Sequence, residues 1–175
     1  MTPQTLPALF GTALGLAAGA GLNSYAVLLV FGTAAQVFPD EFTGPLARLF
    51  ASGPALTVFA VMFGLEFFVD KIPFLDHFWD LLHAVVRPVA GAVLAVAIVW
   101  TSLDTTFIVL AGAGGAFVAL VTHFVKSATR LTSNALTAGV ANVALSLAED
   151  VLAFLQALVG LFLPIVSLLV VIAIG

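Results

Sequence analysis

The chain has 175 residues, of which 62% are hydrophobic and 8% charged, and its mean hydropathy is +1.24. A soluble domain carries about 25% charged residues, so this chain has too few to cover a water-facing surface and must be solvated by lipid. A net charge of −4 excludes the basic face that nucleic acid needs, and the absence of Cys removes disulfides, thiolate metal sites and thiol nucleophiles.

The expected architecture is an all-α polytopic integral membrane protein, a single transmembrane domain over 1–175. A crossing needs about 20 mostly apolar residues. The start "MTPQTLPALFGTALGLAAGAG" lacks the positive n-region of a signal peptide and reads as a retained membrane segment. Apolar runs cover 5–38, 54–70, 86–103, 105–126 and 135–175. The first and last are too long for one straight crossing, which gives about five or six transmembrane helices. In the first, "AGAGLNSY" marks the break, as either a broken helix or a re-entrant hairpin. "FPDEFTGP" is a turn-rich loop. Pro73 separates the second run from a short amphipathic helix at 74–87, and Pro88 suits the first turn of the next helix. The last run breaks at "SLAED" or at "VGLFLP".

Four of the five basic residues, Lys71, Arg87, Lys126 and Arg130, flank 71–87 and 126–134. The positive-inside rule puts both segments in the cytoplasm of a bacterial inner membrane. The N-terminus joins them if 5–38 crosses once, and moves to the other side if that segment is a re-entrant hairpin.

Small residues recur four apart: Gly11, Gly15, Gly19 and Asn23; Ala111, Gly115, Ala119 and His123; Ala138, Asn142, Ser146 and Asp150; and Arg87, Gly91 and Ala95. Such rows let helix backbones approach closely in lipid, within one chain or between copies in a homo-oligomer. Their polar members are costly in hydrocarbon and must face protein or water. Glu66 is the sharpest case, with apolar residues on both sides and Asp70 one turn away on its own face. One of the two is protonated, or Lys71 or Arg87 supplies a cation. A structural ion pair and a functional carboxylate are both open readings of Glu66.

In the 74–87 segment, Asp76, Asp80, His83 and Arg87 form a narrow stripe opposite Phe74, Phe78, Leu81 and Val85, with Trp79 at its edge. The segment either lies at the interface with its charges in water or caps the bundle with its stripe turned inward. No HExxH or Cys pattern accompanies the stripe, so no metal site is assigned. Lys126 and Arg130 read as a charged helix end at the interface, while His123 lies deeper.

"GLNSY", "FFVDKIPFLDHFWDLLHAVVRPVAGA" and "ANVALSLAED" together resemble a family of small bacterial integral membrane proteins catalogued only as a domain of unknown function. The family pattern has a Pro-containing turn after the Asn of an "SN" pair, which "TSNALTAGVAN" lacks. The resemblance implies a compact polytopic fold and nominates Asn23, Asp70, Lys71, Asp76, Trp79, Asp80, His83, Arg87, Asn142, Ser146, Glu149 and Asp150, without assigning an activity. "FFVDK" and "HFVK" hint at an internal repeat of the kind found in transporters.

The functional expectation is a transporter or channel-like protein for a small solute or ion, with a cation or proton-coupled substrate as first choice and no cofactor. Asn23, Ser24, Glu66, Asp70, Lys71, Asp76, Asp80, His83, Arg87, His123, Lys126, Asn142, Ser146, Glu149 and Asp150 would line its path. Glu66, Asp70 and Glu149 are the expected carriers, and His123 a proton relay. Neutralising Glu66 is expected to stop flux without unfolding. The alternative is a membrane scaffold or lipid-binding assembly protein whose buried charges are structural. An enzyme is disfavoured, because no nucleophile–base pair, zincin motif or phosphate loop appears.

Overall fold

The computed structural model describes residues 5–72, 75–137 and 140–174. These residues form helices α1 (Leu6–Leu22), α2 (Ser24–Val37), α3 (Pro45–Phe50), α4 (Gly53–Val69), α5 (Leu75–Val99), α6 (Thr105–Thr137), α7 (Asn142–Phe162) and α8 (Pro164–Ile174), with no strand among them. Three of them, α5, α6 and α7, are long and apolar enough to cross a membrane. α4, at 17 residues, is about 25 Å long, slightly short of the hydrocarbon thickness. Large apolar side chains cover the outside, among them Val61 and Phe68 on α4, Leu81 and Val85 on α5, and Phe117 and Phe124 on α6. A surface of that kind suits acyl chains rather than water.

The central element is α1, buried along most of its length. Its glycine row allows this. A Cβ at Gly11 would strike the Pro164 backbone, one at Gly15 would strike Ser167, and one at Gly19 would crowd Val27 and Ala153. A second crossing is built the same way. Gly91 of α5 lies on Gly115 and Ala119 of α6, and Gly115 lies on Gly91 and Ala95. The small-residue rows of α1, α5 and α6 are thus taken up inside the chain, whereas Ala138 of the fourth row lies outside the described residues.

The 5–38 segment breaks where "AGAGLNSY" predicts. Asn23 is extended (φ −148°, ψ 103°) between two helices. Its N–H donates to the Gly19 carbonyl, and its side chain accepts from the Ala26 N–H to cap α2. The two helices form a hairpin. The start of α1 lies at the α7–α8 turn, and the end of α2, with Val37 and Phe38, lines an apolar groove with Leu158 and Phe162 of the same region. The Leu6 end of α1 therefore lies at the opposite end of the molecule from Lys71, which corrects the single-crossing arrangement that put the N-terminus on the Lys71 side.

Three other expectations change. The amphipathic segment is no separate helix. It runs on into the next apolar run as the 25-residue α5, with Pro88 inside it rather than in a first turn. Nothing between Leu75 and Arg87 signals a stop, and the buried Arg87 fixes the backbone just before the proline. Pro88 forgoes one backbone bond, which neighbouring helices make tolerable. The segment 126–134 is not a loop. α6 continues to Thr137 because Lys126 and Arg130 are buried and paired instead of meeting water. At 33 residues it is about 50 Å long. Of the two breaks offered for the last run, "SLAED" lies inside α7 and "VGLFLP" holds one that forms, at Leu163 before Pro164; the run is also interrupted before Asn142, where α7 begins. Finally, "FFVDK" ends α4 whereas "HFVK" lies mid-α6, so the two segments of the suggested repeat differ in structure.

Candidate functional site

Two groups of charged side chains meet where α4, α5, α6 and α7 surround the tip of the α1–α2 hairpin. The first is centred on Arg87, which has no exposed surface. It donates to Glu66 Oε1 at 2.8 Å and reaches Asp80 Oδ1 at 3.5 Å. It also contacts Nδ1 of His123. A guanidinium only donates, so Nδ1 is the accepting nitrogen of that imidazole. His83 donates from Nδ1 to the Trp79 carbonyl at 2.8 Å, and its ring meets the edge of Tyr25. Ser127 reaches the second oxygen of Asp80 at 3.4 Å. The stripe on α5 therefore turns inward at Asp80, His83 and Arg87, while Phe78, Leu81 and Val85 face out. The side chain of Asp76 lies outside the described residues.

The second group is centred on Asp70, the C-cap residue of α4. Asp70 Oδ2 accepts from Arg130 at 2.8 Å and from Lys126 at 3.3 Å. Burial by itself would raise the Asp70 carboxyl, but Lys126 and Arg130 outweigh it and hold the group below the usual carboxylate range. Glu149 accepts from Arg130 Nε at 3.0 and 2.8 Å and from Nη2 as well, and lies 3.4 Å from Lys126. Lys126 also donates to the Leu22 carbonyl at 2.8 Å, a free helix-end carbonyl of α1. Asn23 Nδ2 donates to Asp150 Oδ1 at 2.8 Å, which ties the hairpin tip to α7. Ser24 turns back to the Ala20 carbonyl. Asn142 reaches the Asp70 carbonyl, and Ser146 the Lys71 ammonium, both at 3.4 Å. Burial pushes the Lys71 ammonium down, against the opposing pull of Asp150 and Asp70.

Glu66 and Asp70 thus answer to separate cations, Glu66 to Arg87 and Asp70 to Lys126 and Arg130. Arg130, which reads from sequence as an interfacial helix end outside the path, is buried and paired with Asp70 and Glu149. Its position seven residues from His123 and four from Lys126 was the available signal, one stripe along a single helix. Tyr25 and the Leu22 carbonyl carried no such mark. Several buried polar atoms have no partner among the described residues: Glu66 Oε2 and His83 Nε2 in the first group, Asp70 Oδ1 and Asp150 Oδ2 in the second. No cluster of three or more His, Cys, Asp or Glu side chains among the described residues is arranged to hold a metal ion.

A family model described as a domain of unknown function (DUF4126) matches residues 10–175. The chain belongs to that family. Neither a curated protein nor a solved structure matches it. The DUF4126 match spans both charged groups and both helix breaks, and it carries no activity with it.

Proposed function

We propose that the protein is a multi-pass transporter, in the bacterial inner membrane, for a small cation or a proton-coupled solute. In this reading α4, α5, α6 and α7 cross the bilayer. The α1–α2 hairpin and α8 re-enter from the face opposite Lys71, and the Lys71 end is cytoplasmic by the positive-inside rule. The observation that carries the proposal is the meeting of Asn23 and Asp150. A helix break inside the bundle ends on a buried carboxylate that keeps one oxygen without a partner among the described residues. Broken helices beside a buried polar group are how transporters hold ions and small solutes away from lipid. No catalytic constellation is invoked.

The other charges favour a narrower role than the sequence reading gave them. Glu66 is paired with Arg87, and Glu149 with Arg130 and Lys126. These pairs hold helices together, which is the observation favouring a scaffold. Removing Glu66 leaves the buried Arg87 with only the longer contact to Asp80 and is expected to cost about 3–5 kcal/mol, so a loss of stability would mask any effect on flux. Asp150 is the better probe, because Asn at that position keeps an oxygen for Asn23. Asp150→Asn in proteoliposomes should retain the parent's thermal stability and lose at least tenfold in cation or proton flux. Parent-level flux in the variant, or no flux in the parent for any small cation or proton gradient, defeats the transport reading in favour of a scaffold.

A further inference from the structure

The second charged group is balanced only through Lys71. Asp70, Glu149 and Asp150 face Lys71, Lys126 and Arg130. Lys126 and Arg130 are buried and held at ion-pair distance by carboxylates. Lys71 is held differently. It is half-buried, it donates to the Phe67 carbonyl at 2.7 Å, its Nζ sits 3.2 Å from the centre of the Phe67 ring, and Ser146 Oγ is 3.4 Å away. Among the described residues it makes no ion pair within 4.0 Å, although both Asp150 and Asp70 act on its charge. Those two carboxylates are 6% and 1% exposed, and each keeps one oxygen, Asp150 Oδ2 and Asp70 Oδ1, without a partner among the described residues.

We propose that Lys71 is a tethered counter-cation at the mouth of a site for a small monovalent cation, formed by Asp70, Asp150 and Ser146. This deepens the transport reading and rests on it for its consequence. The entering ion takes the place of the ammonium, which swings toward the exposed end of α4. Charge selects the ion class. With Lys71 withdrawn the group carries one excess negative charge, which a monovalent cation cancels. A divalent ion would leave a net positive charge inside the bundle, which hydrocarbon surroundings penalise. Lys126 and Arg130 keep Glu149 and the other oxygen of Asp70 occupied, while Asp150 and Asp70 both act on the charge of Lys71.

The test uses purified protein in detergent, with sodium, potassium or ammonium chloride compared with choline chloride at one ionic strength and neutral pH. Lys71→Gln should gain on the order of 5 °C in thermal stability from one of the small cations, and the parent clearly less, because its own ammonium competes. Adding Asp150→Asn should remove the response. On the unsubstituted protein, acylation of Lys71 should speed up several-fold in that cation relative to choline, a readout that holds even if Lys71→Gln fails to fold. Equal stability and equal Lys71 reactivity in choline and in all three small cations overturn the inference, as does a response to acid alone. A cation response without flux in liposomes removes the transport reading and leaves the site. Flux without a cation response removes only the site.

Discussion

A buried carboxylate in this protein is defined by the cation it answers to, and the pairings set what each substitution does. Glu149→Gln leaves Arg130 short of its closest partner and should cost about 3–5 kcal/mol. Combining it with Arg130→Gln should recover at least half of that loss, because Lys126 still serves Asp70. Thermal unfolding of both singles and the double checks this, and a Glu149→Gln variant as stable as the parent would mean that the pair contributes nothing. Asp70 gives a pH signature. Its carboxyl is held below the ordinary value by Lys126 and Arg130, against burial. A depressed carboxylate contributes stability above its unfolded pKa of about 3.9 and loses it as pH falls through the folded value. The parent should therefore keep its full stability down to about pH 4 and lose it below that, on the acid side of the unfolded value. Asp70→Asn should be less stable at neutral pH and show a shallower acid limb. Identical limbs in the two proteins would show that Asp70 is not paired in solution.

At the scale of helices, the charged stripe and the glycine rows are two sides of the same packing. Arg87 and Gly91 lie one turn apart on α5, and His123 and Ala119 one turn apart on α6, so the close approach at glycine brings Arg87 onto His123. Gly91→Leu should therefore separate α5 from α6 and destabilise as much as loss of the ion pairs, whereas Gly64→Leu, where an added Cβ meets open space, should be tolerated. On α5 itself, Asp80→Leu should impair assembly or flux more than Phe78→Leu, since Phe78 faces outward and Asp80 reaches Arg87 and Ser127. Equal tolerance of the last two would return that segment to an interfacial role. Periodicity made these faces legible, because spacing of four fixes which residues share a side. Helix ends were less legible. Lys126 and Arg130 look like an interfacial terminus until their partners, Asp70 and Glu149, arrive from other helices. Pro88 looks like a start until the pairing of Arg87 is known. Asn23 was legible as a break, but its partner Asp150, 127 residues on, was not.

For the whole molecule, the hairpin sets a topology that labelling can read. Single Cys residues can be placed in the 38–44 turn and at Ile72 of the Cys-free chain. An impermeant thiol reagent outside intact cells should label the first and spare the second. Labelling of Ile72 but not of the turn would invert the orientation, and labelling of both would break the hairpin arrangement. The hairpin also bears on how the protein is made. Gly11 and Gly15 of α1 lie against Pro164 and Ser167, about 150 residues later in the chain. At about 5–20 residues per second, roughly eight to thirty seconds separate the synthesis of these two surfaces. For that interval the first helix has a glycine-lined side with no helix yet made to fill it. Its final seating is therefore a late event in biogenesis, and a nascent chain stalled before residue 164 should still have α1 open to exchange with lipid or with an insertion factor.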